Sequence, residues 1–302
     1  RRQEPGNPSL ALARRAEATI RTATSIISGT SDPLAGSTLL CQLLGLHPEI
    51  HSTGHSSPLC PLLMQMRHQW SDNEFLLAQL DVDFDRAYHR LLNAWRGFVA
   101  GWFAETDRPW VVDKSRGWLA QLETVQTFDP EFRMLVCVRE LGQILGSIEA
   151  QHAKTRLLDF PDHLAHLSRY ARADKLLAAD GVIGGPLKAL ESVQDLPEIL
   201  QQHLYYVVFE HLMTEPVVVL QDIHRWLGLA PTPFDPHDLP VRPHESDSHY
   251  RYKYLHRTYS RIQPPAPHPV PTRIIRELKN HFRGFYETFY PRLLNASQES
   301  NP

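Results

Sequence analysis

Three groups of residues in this chain are placed where they could act on an anion. The first is Gly36, Ser37 and Thr38. They close the stretch SIISGTSDPLAGSTLLCQLL, residues 25–44. The apolar pair Ile26-Ile27 leads into a small-residue loop, and Leu39, Leu40, Leu43 and Leu44 then recur at helical spacing. A buried strand, a loop and a helix start present free backbone N–H groups and the positive end of a helix dipole, which favour phosphate or sulfate. The hydroxyls of Ser37 and Thr38 add donors. No Gly-Lys-Ser/Thr follows, which argues against a nucleoside-triphosphate loop and a nucleotide-kinase-like reading. A strand–turn–helix joint with no ligand is the plain alternative.

The second group is Lys114, Arg139 and Ser147. Lys114 follows Trp110-Val111-Val112, and Arg139 follows FRMLVCV, residues 132–138. A basic residue at the carboxyl end of a buried strand faces the crevice of an open α/β sheet. Ser147 lies eight residues beyond Arg139, close to one face of the following helix, so the two can also flank one phosphate. The bland alternatives are surface pairing of Lys114 with Asp113 or Glu123, and of Arg139 with Glu140 or Glu210. Glu210 itself reads as a residue that caps or orients the end of its strand.

The third group is aromatic and imidazole chemistry. His55, in HSTGHSSPL, is a candidate general base with a reference pKa near ~6.5; the alternative is one more loop histidine among 17. His47, His51 and His55 are four apart, but Pro48 and Gly54 oppose a helix there, so no metal site is expected. Late in the chain Tyr250, Tyr252, Tyr254 and Tyr259 alternate with Arg251, Lys253, His256 and Arg257. That mix can stack on adenine and grip phosphate, or reach RNA bases. The net charge of −3 favours the nucleotide and argues against a general nucleic-acid or polybasic membrane binder.

The elements that must position these residues are a series of strands separated by helices. Strands are expected at the opening stretch, at Trp110–Val112, at 132–138 and at Leu204–Phe209. His47–Pro58 reads as loop. The clearest helix is Phe84–Phe103, whose aromatic face reads as core. Further helices are expected over Leu10–Thr22, Leu59–Trp70, Leu119–Phe128, Leu141–Ala153, Asp159–Leu177 and Val270–Tyr286. Another follows Thr214, with Pro216 in its first turn and Gly228 at its stop. Residues 230–269 read as irregular. Strands joined by helical crossovers make a parallel sheet with helices on both faces.

The chain has 302 residues, enough for one large core or two at most. A tail and short helix are expected over 1–22, one domain over 23–291 and a tail over 292–302. Cys41, Cys60 and Cys137 are odd in number and widely spaced, which suits a reducing compartment, read as the cytoplasm. No apolar run approaches the ~18 residues of a membrane span. The first residues show no secretory signal, and the missing initiator Met leaves room for an upstream segment.

Five stretches resemble the sulfotransferase superfamily, in particular its bacterial and tyrosylprotein-sulfotransferase-like members. They are SGTSDPLAGSTLLCQLLGLHPEI, VVDKSRGW, MLVCVRELGQILGSIEA, YYVVFEHLMTEPVVVLQDIHRWLGL and SDSHYRYKYLHRTYSRIQPP. The resemblance implies a P-loop-like three-layer α/β sandwich with a central parallel sheet. It implies 3′-phosphoadenosine 5′-phosphosulfate as donor and sulfuryl transfer to a hydroxyl or amine of a small molecule, carbohydrate or peptide. Gly36, Ser37 and Thr38 then bind the 5′-phosphosulfate, and Arg139 and Ser147 the 3′-phosphate. Lys114 faces the reaction centre or positions substrate, and Arg251 and Lys253 close over the nucleotide. The family's loop carries a basic residue where this chain has Leu34. That departure keeps a second implication open: a nucleotide- or partner-binding protein of the same fold with impaired transfer.

Overall fold

The alternation in RMLVCV has a direct structural outcome. Met134, Val136 and Val138 pack on one side of a sheet, Leu135 and Cys137 on the other, and all five are buried. This strand is β4 (Arg133–Val138), parallel to β1 (Arg21–Ile26) and to β5 (Leu204–Val208). β1 also pairs with β3 (Trp110–Ser115), and β3 with the edge strand β2 (Ile50–Ser56). The order is β2-β3-β1-β4-β5, and every pairing is parallel. The computed structural model describes residues 21–26, 36–154, 156–157, 164–243, 245–246, 255–264 and 266–295.

Parallel neighbours require crossovers, and helices supply them. After β1 comes α1 (Ser37–Leu44); between β2 and β3 lie α2 (Leu59–Ser71), α3 (Glu74–Val82) and α4 (Phe84–Trp102). A 3₁₀ turn, Trp118–Gln121, and α5 (Leu122–Phe128) lead into β4, and α6 (Leu141–Lys154) leaves it. α7 (Arg169–Leu177), α8 (Gly184–Gln194) and α9 (Glu198–Gln201) precede β5. α10 (Phe209–Thr214) and α11 (Pro216–Trp226) follow it. A small antiparallel pair, β6 (Glu245–Ser246) and β7 (Leu255–His256), comes before α12 (Thr272–His281), α13 (Arg283–Phe289) and α14 (Pro291–Asn295).

The two faces of the sheet carry separate cores. On one, Val111, Met134, Val136 and Val138 meet Trp118, Leu122 and Val125, the α6 residues Ile144 and Ile148, and the C-terminal Phe285 and Tyr286. On the other, Val112, Leu135, Cys137 and Val207 meet Leu40, Leu43 and Leu44 of α1 and Leu220 and Ile223 of α11. The layers are those expected from sequence: a parallel sheet between helices.

Several local expectations are corrected. The stretch read as loop between His47 and Pro58 contains β2. Its polar sequence hid it, because an edge strand is held by backbone pairing on one side and need not be apolar. The pairing with β3 slips between Ser52 and Ser56, and Gly54 turns there with φ 75°. The aromatic face of α4 is core only in part. Trp95, Val99 and Phe103 are buried, whereas Phe84 is 60 % exposed and Phe98 and Trp102 remain partly open. The helix expected over Asp159–Leu177 is α7, which starts at Arg169 with the Ser168 side chain accepting from the Ala171 N–H. Residues 158–163 lie outside the described residues. The single helix expected over Val270–Tyr286 is broken at Phe282 into α12 and α13, and α14 extends beyond Pro291. The Leu10–Thr22 helix lies outside the described residues up to residue 20, and Arg21-Thr22 open β1.

Two arginines hold the outer edge of β2. The Glu49 carbonyl bonds the Trp110 N–H of β3, so the carbonyls of Ile50 and Ser52 alternate outward. Arg108 donates to the first and Arg242 to the second.

Behind α1, His47 and His224 meet edge to face at 4.7 Å. His47 accepts the Glu49 N–H at Nδ1, which leaves Nε2–H to donate to the Ala230 carbonyl at 3.0 Å. His224 is buried, and burial together with the neighbouring His47 lowers its pKa from 6.5 to about 4. The unfolded chain therefore takes up a proton near pH 6.5 that the folded chain refuses until about pH 4. Stability must fall as pH drops through that window, by on the order of 2 kcal/mol from this group. Urea titrations at pH 7, 5.5 and 4.5 are expected to show that loss, and His224→Gln is expected to flatten it.

Candidate active site

Successive side chains on a strand face opposite ways, and at the end of β3 this separates two charged neighbours. Asp113 is buried on the side of Trp118, whose Nε1–H donates to Oδ1 at 2.7 Å. Burial raises its pKa to about 6, against the bonds from Ser57 and Trp118 that favour the carboxylate. Lys114 points to the α1 side and is 1 % exposed. Its ammonium donates to the Gly54 carbonyl at 3.1 Å and reaches Thr38 Oγ1 at 3.5 Å. The surface pairing of Lys114 with Asp113 or Glu123 is thus corrected: the lysine is interior and ties β2, β3 and α1 together.

The start of α1 is shaped by Gly36, which caps the helix in the left-handed region at φ 86°. A Cβ at this position would collide with the Phe209 ring, lying 2.9 Å from its Cε2. Glycine is therefore required twice, by conformation and by contact. Ser37 is buried in the first turn, and its Oγ has no hydrogen-bond partner among the described residues. Thr38 beside it is also buried. The loop preceding Gly36, with Leu34, lies outside the described residues, as do Arg251 and Lys253.

Arg139 continues past β4 on the same side. It is 2 % exposed, and its guanidinium stacks over the Phe209 ring at 4.6 Å, a favourable cation–π arrangement. Phe209 thus lies against Gly36 and against Arg139. No sequence pattern marked Phe209 as part of the site; it read as the last apolar residue of a strand. Ser147 is buried in the second turn of α6, next to Gly146, over which the His268 backbone closes. His268 feels the Arg139 charge, which together with burial lowers its pKa. His55 sits on β2 beside Gly54, whose carbonyl receives the Lys114 proton. Glu210 accepts the Glu140 N–H at 3.4 Å and the Tyr290 hydroxyl at 2.7 Å.

The structure therefore brings Gly36, Ser37, Thr38, Lys114 and Arg139 to the carboxyl edge of the sheet, around the central strand β1. Two buried cations and a helix start thus stand together at the edge where open α/β sheets bind ligands. Next to it is a cavity of about 610 Å³ lined by Ser56, Ser57, Met64, Lys114, Arg116 and Gln121, among others. The described residues hold no cluster of histidine, cysteine or acidic side chains suited to a metal ion. Gly36→Ala is expected to lower stability by about 1–2 kcal/mol from backbone strain alone, read by urea unfolding. Pairing it with Phe209→Ala should recover the part due to the ring collision.

A family model described as the Sulfotransferase family matches residues 30–233, well over half of the chain. No curated protein matches. Solved structures do. The sulfotransferase domain from the curacin biosynthetic pathway is 18% identical and covers 86% of this chain and 98% of its own, with a TM-score of 0.49. A sulfotransferase from Alicyclobacillus acidocaldarius is 13% identical, covering 88% and 93%, with a TM-score of 0.48. The sulfotransferase domain of the Synechococcus PCC 7002 olefin synthase is 19% identical, covering 71% and 74%, with a TM-score of 0.41. The family match spans α1 to α11, with Lys114 and Arg139 inside it, and on that match the chain belongs to the sulfotransferase family.

Proposed function

We propose that the chain transfers a sulfuryl group from 3′-phosphoadenosine 5′-phosphosulfate to a hydroxyl or amine of a small-molecule, carbohydrate or peptide acceptor. The observation that carries this reading is the buried Lys114 ammonium bridging Gly54 and Thr38 at the start of α1. Buried positive charge beside a helix start favours an anion at that place.

The residues present fit the donor. The unpartnered, buried Ser37 Oγ and the Gly36 turn suit the 5′-phosphosulfate. Arg139 and Ser147 are assigned to the 3′-phosphate, with Arg251 and Lys253 closing over the nucleotide. The donor supplies an activated sulfuryl group. Lys114 stabilises negative charge near the helix start, in a site from which water is largely excluded. The acceptor occupies the cavity beside Lys114, whose volume of about 610 Å³ suits a small ligand or a peptide side chain. His55, one residue beyond the Gly54 carbonyl, is assigned to take the proton the acceptor loses. The cytoplasm is the proposed location, because Cys41, Cys60 and Cys137 are all free thiols and buried. Among the described residues no helix is long and apolar enough to cross a membrane.

A second reading is favoured by one residue. Leu34 stands where the family's loop is basic, which suits a protein that binds the nucleotide and transfers slowly. Calorimetric titration with 3′-phosphoadenosine 5′-phosphate, followed by a labelled-sulfate assay on phenol, carbohydrate and peptide acceptors, separates the two. Binding with turnover supports the first reading, binding without turnover the second, and no binding overturns both. Lys114→Met is expected to lower kcat by about 10²–10³, the usual loss for one such donor. Leu34→Arg is expected to raise kcat, and an unchanged rate would show that Lys114 already meets the requirement.

A further inference from the structure

The C-terminal helical segment carries two tyrosines that reach the carboxylates at the strand ends. Tyr286 in α13 is fully buried, and its hydroxyl donates to Glu140 Oε1 at 2.6 Å. Tyr290, directly after α13, donates to Glu210 Oε2 at 2.7 Å. The two carboxylates belong to one assembly. Glu140 follows Arg139 in the chain and caps α6 by accepting the Gln143 N–H at 2.7 Å. Glu210 follows Phe209, the ring beneath the guanidinium, and its Oε1 receives the Glu140 N–H at 3.4 Å. Each tyrosine therefore fixes the carboxylate whose backbone neighbour contacts or is Arg139. The arrangement is compact enough that the Arg139 charge acts on Tyr290, opposing the effects of burial and of the Glu210 carboxylate that push its pKa up.

The arrangement is also expensive. Two acidic side chains sit at the sheet edge beside a buried arginine, and a carboxylate with too few donors in such surroundings is strongly destabilised. The tyrosine hydroxyls meet part of that need. A phenylalanine at either position would pack almost as well, so packing alone does not call for the hydroxyl.

We infer that Tyr286 and Tyr290 are positioning residues for Arg139, which set its guanidinium for the 3′-phosphate by holding Glu140 and Glu210. This rests on the proposed role of Arg139 in nucleotide binding. Both tyrosines are thus assigned to act through the carboxylates. The C-terminal helices thereby become part of the binding machinery, although α12 to α14 lie beyond the span matched by the family.

Calorimetry with two probes tests this: 3′-phosphoadenosine 5′-phosphate and adenosine 5′-phosphate, which lacks the 3′-phosphate. The full chain, Arg139→Ala, Tyr290→Phe and Tyr286→Phe/Tyr290→Phe are compared. The unmodified chain is expected to prefer the bisphosphate, and Arg139→Ala to abolish the preference. The double variant is expected to weaken bisphosphate binding about tenfold, the loss typical of a hydrogen bond to a charged group, with adenosine 5′-phosphate binding changed less than about twofold. A general structural role would lower both affinities together, and that outcome overturns the inference. So does a preference that survives in both tyrosine variants while Arg139→Ala removes it. If the unmodified chain shows no preference for the bisphosphate, the proposed nucleotide role of Arg139 falls, and the inference with it. Tyr290→Phe alone, at the less buried of the two sites, gives the same reading if the double variant does not fold.

Discussion

An ammonium group inside a protein has to be satisfied, and the way Lys114 is satisfied organises the carboxyl edge of this sheet. Its strand is buried on both faces, so the alternation of β3 sends Asp113 to one core and Lys114 to the other. On the α1 side its ammonium donates to the Gly54 carbonyl and reaches the Thr38 hydroxyl. For the Gly54 carbonyl to turn inward, β2 must kink, and glycine at φ 75° allows it. The bulge in β2, the end of β3 and the start of α1 thus meet at one cation.

The same side of the sheet carries Arg139, and here the supporting surface is aromatic. Phe209 presents its face to the guanidinium and lies against the helix-start glycine. The ends of β4 and β5 and the first residue of the α1 cap therefore meet at a single ring. The two cations meet different surroundings: Lys114 donates to the Gly54 carbonyl and reaches Thr38, whereas Arg139 stacks on the Phe209 ring.

Much of this was legible in the sequence, and the exceptions have physical causes. Apolar runs such as RMLVCV and LYYVV stand out because central parallel strands are buried on both faces. Lys114 and Arg139 could be placed because each closes such a run. β2 could not, since HSTGHS lacks both apolar continuity and alternation, and its strand conformation depends on β3. Phe209 was invisible as a site residue because a ring beneath a guanidinium and a ring in a core have the same one-letter context. Tyr286 and Tyr290 were equally silent: their partners, Glu140 and Glu210, lie 146 and 80 residues away in the chain, and no local pattern encodes such a meeting. The aromatic face of α4 misled in the opposite direction, because periodicity reports which face is apolar and not how much of it another element covers.

The edge strand has one more consequence. A row of unsatisfied carbonyls on an outer strand is a template on which another chain can add. On β2 the outward carbonyls of Ile50 and Ser52 are already occupied by Arg108 and Arg242, and the strand bends away at Gly54 before a third can line up. A guanidinium occupies the place a neighbouring strand would take. That side of the sheet is finished off within the molecule, and growth by edge-to-edge addition has no straight run of acceptors to begin from.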